Sequence, residues 1–335
     1  MTAFAKGFKF RWEPQDIAPV ASLLALVLFF GIAAPGFLRL STLVTALQQG
    51  AVLAIVSTGL TFVLLAAEID LAVGSMALWT ACLCGWLYQS WATQTAEGRF
   101  VASAEIVIAV LILPLCTSLL LGILSGVLTV KSRLPSFIIT LAMMFISQGA
   151  ARYITRGQAF RVPALLGDIG NRGIEHEGLT VIPYSALLAA AIMTVGHVVL
   201  QYTRFGRYVY MTGGNRQAAR LAGVPTGLVV TACLAISAVT AGIGGLVNAG
   251  RMTSVTLDQN QDLLLSALAC IVLGGTSLFG GEGGIGKTLV GVATFTVLNI
   301  GLNSIRLDDF ARPFVMGVVL MAALLLNAAL ARRQP

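Results

Sequence analysis

Charge is what this 335-residue chain has least of: only 10% of its residues are Asp, Glu, Lys or Arg, against about 25% in soluble globular domains. A soluble fold of this length could not cover its surface with so few charges. Histidine occurs only at His176 and His197, too few and too dispersed for a His-rich metal site. Of the five cysteines, Cys82 and Cys84 form a lone Cys-x-Cys, and Cys116, Cys233 and Cys270 stand singly in apolar runs. They read as small apolar fillers and support neither a metal site nor an obligatory disulfide. No nucleophile–base pair stands out, and no segment outside the apolar runs could house one. The chain reads as a non-enzyme without a cofactor of its own. The net charge of +7 does not mark a nucleic-acid partner, which would need basic residues gathered on a water-facing module.

What is present is apolar. Residues of the hydrophobic set make up 57% of the chain, mean hydropathy is +0.89, and there are 36 glycines, a level normal for packed membrane helices. The apolar residues fall in runs of spanning length, which takes roughly 20 residues per helix. Ile17–Ala34 follows the basic stretch around Lys6, Lys9 and Arg11; with no convincing small-residue cleavage site after it, it reads as a retained first helix. Further runs lie near 43–66, 71–90, 103–130, 136–154, 182–201, 228–249, 262–280, 285–304 and 312–330. The 103–130 run is longer than one span needs, so it is either tilted or broken near Pro114. The expected fold is an all-α, polytopic transmembrane bundle of about ten helices, forming one domain over 1–335. Basic residues in the N-terminal tail, the Lys131–Arg133 turn, the Arg204–Arg220 loop and the Arg332–Arg333 tail place both termini in the cytoplasm. The linker 155–181, of mixed charge, then faces outward.

Four polar segments stand out: 91–102, 155–181, 202–227 and 250–261. Within the third, Asn215 to Leu221 reads as a short helix with Ala218, Ala219 and Leu221 toward one side and Arg216, Gln217 and Arg220 more polar. Gly213 and Gly214 precede it, and Gly223 with Pro225 end it. Such a helix suits either a groove on a cytoplasmic partner or the membrane interface. Glu68 and Asp70 lie in a short junction between two apolar runs. At i and i+2 they cannot share one helix face, so a bend is expected. Glu68 would pair with a basic residue or with the next helix N-terminus, Asp70 would serve as an N-cap, and Gly74 and Ser75 would allow close helix contact. Structural capping is favoured here over solute contact. Gly281-Glu282-Gly283-Gly284-Ile285-Gly286-Lys287-Thr288 fits the P-loop pattern. A P-loop needs a preceding strand and a downstream acidic residue for magnesium, whereas span-like runs flank this segment. It reads as a tight turn between spans, with Lys287 as a cytoplasmic-side anchor.

Five segments carry a family likeness: Glu68–Ser75, Leu134–Leu141, Gly206–Asn215, Ala218–Val224 and Val272–Gly281. In this order and spacing they resemble the permeases of ribose/xylose-type sugar importers, within the wider branched-chain amino acid permease group, from about residue 41 to the C-terminus. The resemblance implies a permease that pairs, usually as a homodimer, in the bacterial inner membrane. It would dock a cytoplasmic ABC ATPase subunit, which binds the ATP and Mg, and receive its sugar from an external binding protein. It also implies that Gly213, Gly214, Asn215, Ala218, Ala219, Arg220, Leu221 and Gly223, within a segment of about 206–225, couple the chain to the ATPase. The chain departs from the family pattern in having Lys287 before Thr288. A sugar needs little charge along its route, whereas proton-coupled transport would place ionisable residues inside spans. The competing expectations are an importer of branched-chain amino acids or another small polar solute, and a transporter acting alone.

Overall fold

A computed structural model describes residues 14–96, 100–176 and 179–305, together with 311, 314–318 and 321. The first half holds helices α1 (Pro14–Ala33), α2 (Leu40–Leu65) and α3 (Val73–Trp91), strands β1 (Thr93–Gln94) and β2 (Phe100–Val101), then α4 (Ala104–Ser132) and α5 (Ser136–Thr155). Next come β3 (Phe160–Arg161), α6 (Ala164–Asn171), β4 (Gly173–His176), β5 (Leu179–Pro183) and α7 (Tyr184–Tyr202). Helices α8 (Arg204–Gly214), α9 (Arg216–Leu221) and α10 (Thr226–Met252), strand β6 (Ser254–Val255), α11 (Leu263–Leu273) and α12 (Ile285–Ser304) complete it. The strands pair antiparallel as β1–β2, β3–β6 and β4–β5, each a two-stranded ribbon at a helix connection. The protein is therefore an all-α, polytopic membrane protein. Among the described residues six helices are long and apolar enough to cross a membrane: α2, α4, α5, α7, α10 and α12. The expected span at 312–330 falls largely outside the described residues.

The helices sort by how much of their surface the protein itself covers. The apolar window of α2 is 78% buried, whereas those of α4 and α5 are each 22% buried. An apolar helix with most of its surface uncovered suits hydrocarbon, so α2 and α10 form the centre and α4, α5 and α7 the flanks. Hydroxyls inside the spans return to their own helix: Thr58 donates to the Ala54 carbonyl at 2.7 Å and Thr129 to that of Ser125 at 2.8 Å. Each of these two hydroxyls is thereby satisfied without water.

The α4–α10 contact depends on small residues. Ser118, Gly122 and Gly126 are buried at every fourth position of α4, the small-xxx-small spacing that lets helix backbones meet. A Cβ on Gly126 would lie 2.4 Å from the Thr231 Cα. Pro114 does not break α4, which runs unbroken from Ala104 to Ser132; the carbonyl of Pro114 accepts from the Thr117 hydroxyl at 2.7 Å.

The expected span at 262–280 is corrected. Helix α11 has 11 residues and stops at Leu273, because Gly274 and then Gly275, at φ 87°, turn the chain out of the helix. At 1.5 Å per residue α11 is roughly 16 Å long, about half of a hydrocarbon core.

Gly126→Val should lower the stability of the detergent-solubilised protein by about 1–3 kcal/mol through overpacking. Leu120→Val, on the outward face of α4 at 64% exposed, should stay within about 0.5 kcal/mol. Thermal unfolding of the two variants beside the unaltered chain checks this.

Candidate functional site

The bend expected at Glu68 and Asp70 is present, since residues 66–72 between α2 and α3 are not helical. Ala67 takes a left-handed conformation, φ 57°, at the turn out of α2. The two carboxylates part company there, as their spacing requires. Glu68 is buried and forms an ion pair with Arg216 of α9, whose side chain is 39% exposed. Asp70 is also buried, accepting from the Ala72 amide at 2.9 Å and from the Ser237 hydroxyl of α10 at 2.7 Å. Asp70 is not the N-cap: the cap position is Ala72, and the carboxylate instead closes a turn two residues ahead of it. Leu71 N donates to Thr140 Oγ1 of α5 at 3.1 Å, and Ile69 N to Ser136 Oγ at 3.0 Å. The exposed amides of the break are thus taken up by hydroxyls of α5. Ser75 Oγ donates to the Ala72 carbonyl and lies 3.2 Å from Ser147 Oγ, and Gly74 faces the backbone at Asn260, so both small residues do serve close contact.

The α8–α9 segment sits on this end of the bundle. Thr203 caps α8, its hydroxyl accepting from Gly206 N at 3.2 Å, and Asn215 caps α9, its Oδ1 accepting from Ala218 N at 2.9 Å. Gly213 and Gly214 end α8 instead of merely preceding α9. A Cβ on Gly213 would lie 1.8 Å from the Leu65 carbonyl oxygen, so only glycine lets α8 meet the end of α2. Gly223, at φ 81°, turns the chain after α9. Ala218, Ala219 and Leu221 do not all share one side of α9 as expected: Ala219 is buried, while Ala218 and Leu221, the latter 86% exposed, face outward and stay open to a partner groove or the membrane interface. Arg216 is drawn inward because the buried Glu68 carboxylate needs a counter-charge more than Leu221 needs cover. Arg220 Nε donates to Thr226 Oγ1 at 3.0 Å. A cavity of about 520 Å³ lies between this segment and the α4–α5 turn, lined by Glu68, Thr129, Arg133, Arg216 and Arg220 among others.

The glycine-rich segment before α12 joins the same end. Gly281 N donates to the Leu65 carbonyl at 3.0 Å, and Tyr210 of α8 donates to the Gly283 carbonyl at 2.9 Å. Burial pushes the Tyr210 phenol above its ordinary pKa. A helix, α11, precedes this turn where a phosphate loop would need a strand. Thr288 is fully buried, its Oγ1 2.8 Å from that of Thr61 in α2. The segment is a turn that ties α12 to α2. Helix α8 itself escaped the sequence reading; its signal was the Thr203 cap followed by Gly206, Val209 and Thr212, buried at every third position.

A bundle of long apolar helices with a basic helical segment tethered to one end is the architecture of a polytopic membrane protein. The chain belongs to the family described as branched-chain amino acid transport system / permease component, which matches residues 42–326. It is 30% identical to the ribose import permease protein RbsC of Escherichia coli K12 over 324 residues, 96% of this chain and 95% of that protein. RbsC of Bacillus subtilis is also 30% identical, over 322 residues covering 96% and 95%. The galactose/methyl galactoside import permease protein MglC of E. coli K12 is 30% identical over 313 residues, 91% of each chain. No solved structure matches.

Removing either partner of the Glu68–Arg216 pair should destabilise the protein, Arg216→Ala most clearly because it strands a buried carboxylate. With the guanidinium partly in solvent, a double-mutant cycle with Glu68→Ala should give a coupling of about 1 kcal/mol. A coupling near zero in thermal melts of the four proteins would show that the pair is incidental.

Proposed function

We propose that this chain is the membrane-spanning subunit of an ATP-driven, binding-protein-dependent importer of a monosaccharide in the bacterial inner membrane, working by alternating access. In this reading the whole chain, 1–335, is one permease domain of ten crossings with both termini in the cytoplasm. The half-length α11 and the final run count among those crossings. The chain pairs with a second copy, docks a cytoplasmic ABC ATPase that binds and hydrolyses ATP, and receives solute from an external sugar-binding protein. It carries no catalytic residues.

The observation that carries this reading is the α8–α9 segment. It presents exposed Met211, Gly214, Ala218 and Leu221 outward, and it is anchored inward by Arg216 on a break between two helices. An exposed apolar edge on a basic segment suits docking to another protein at the cytoplasmic face. Its ionic tether lets a push on α9 reach residues 66–72, and so α3. A freely moving surface helix would have no such connection. The ribose and galactose permeases among the relatives support a sugar as the solute. The family description keeps branched-chain amino acids as the second solute class to be tested.

The test is uptake into proteoliposomes holding the chain, its ATPase and its binding protein, with ribose, galactose and leucine as solutes. Sugar uptake that requires both ATP and binding protein is expected; uptake by the chain alone would overturn the reading. A Gly214→Trp, Leu221→Glu variant alters only positions with open space or full exposure. It should insert and melt normally but retain at least about tenfold less ATPase in a pull-down, the size of losing one interface anchor. Full ATPase retention would remove α8–α9 as the docking segment.

A further inference from the structure

The segment 253–262 between α10 and α11 is among the most polar in the protein, with Thr253, Asp258, Gln261 and Asp262 exposed and Gln259 and Asn260 half-buried. Helix α11 begins at Leu263, and it ends against the turn that bonds Leu65 and Tyr210 at the α8–α9 end of the bundle. Roughly 16 Å of helix lies between, and Asn260 bonds Asn248, 22 residues along α10 from Thr226, so Gln259, Asn260 and Gln261 stand toward the opposite end of α10. The break before helix α3 lies deeper in the bundle. Asp70, just before that helix, bonds Ser237, which lies 11 residues along α10 from Thr226. The break before α3 therefore lies inside the membrane, and the first turns of α3 and α11 touch: a Cβ on Gly74 would lie 2.9 Å from the Asn260 carbonyl oxygen. Irregular polar backbone at that depth is tolerated where it is buried in protein or lines a water-filled cavity.

A cavity of about 200 Å³ is present there, lined by Ser75, Gln148, Arg152, Gln259, Asn260 and Gln261 among others. Two of its amides are held at one end and unpartnered at the other. Asn260 Oδ1 accepts from Asn248 at 2.8 Å, which leaves its Nδ2 buried without a partner. Gln259 Nε2 donates to the Ser254 carbonyl at 2.9 Å, which leaves its Oε1 buried without one. Asn248 is in turn held by Arg251 at 3.4 Å, so the donor of Asn260 is oriented from behind. A buried unpaired donor beside a buried unpaired acceptor is costly unless something fills both. A hydroxyl, which donates and accepts at once, is the complementary group.

We propose that this cavity, where the first turns of α3 and α11 meet, is where the protein itself contacts the hydroxyls of its solute during passage, through Gln148, Gln259 and Asn260. The assignment rests on the sugar-importer reading and names the contact that reading lacks. It also matches a neutral solute: Arg152, the one charged residue on the cavity wall, could hold a carboxylate, but no acidic residue lines the cavity to hold an ammonium.

Two measurements test it. In the reconstituted complex, Gln259→Leu and Asn260→Gly remove the unpaired groups, the glycine being chosen because residue 260 has φ 69°. Each should cut ribose or galactose uptake about tenfold, as expected for a lost hydrogen bond that leaves its partner unpaired. ATP hydrolysis stimulated by the binding protein should stay within about twofold, since the docking face is untouched. Full uptake by both variants would overturn the site and leave the importer reading standing. Uptake of leucine and of neither sugar by the unaltered complex would overturn the hydroxyl assignment together with the reading. The second measurement needs no solute: Gln148→Cys, in a chain whose exposed Cys116 is replaced by Ala, should react with a small charged methanethiosulfonate in membranes. Failure to react would overturn the cavity as a wetted site whatever the chain transports.

Discussion

A bilayer offers no water to an unpaired backbone amide, and that constraint governs where this chain can stop being helical. It stops at two places within the bundle, residues 66–72 and 253–262. Each break is surrounded by groups that accept or donate in place of a helix: Ser136 and Thr140 for the first, the Gln259 amide on the Ser254 carbonyl for the second. The central position of α2 and α10 follows, because the breaks need cover on all sides. The outer helices α4, α5 and α7 need no such cover and can face lipid.

The first break also carries the only described ion pair that joins distant parts of the chain. Glu68 and Arg216 are 148 positions apart, and the pair fastens the α8–α9 segment to the start of α3. Gly213 against Leu65 and Gly281 against the same carbonyl make the attachment a close backbone contact as well. In the importer reading, force applied to α9 by a docked ATPase thus has a short physical path to the solute route. It passes along α9 to Arg216, across to Glu68, and from there to the first turn of α3.

The long helices were legible in the sequence because apolar runs of spanning length have few other uses. Those at 136–154, 182–201 and 228–249 match α5, α7 and α10 to within a few residues at each end. The early end of α11 was less legible: Gly274-Gly275-Thr276-Ser277 interrupts the apolar run, Leu278 and Phe279 resume it, and the backbone at Gly275 shows that the helix does not. The bend at 68–70 could be read from the spacing of two carboxylates, but the identity of their partners could not. Arg216 and Ser237 are brought there by tertiary packing that no local pattern encodes. For the same reason the faces of α9 were only partly legible: Ala218 and Leu221 do share one side, but Ala219 packs inward and Arg216 is drawn to a buried carboxylate 148 positions away. The polar stretch 250–261 was visible as polar, but its depth depends on the length of α11.

The central claim is that the Glu68–Arg216 pair links the docking segment to the solute route. The most direct test is to measure sugar uptake and ATP hydrolysis together in the reconstituted complex carrying Arg216→Ala. The account predicts that the ATPase still binds and hydrolyses ATP while sugar moved per ATP falls well below that of the unaltered complex. An unchanged ratio would contradict it, leaving the pair as a structural tether with no part in transmission.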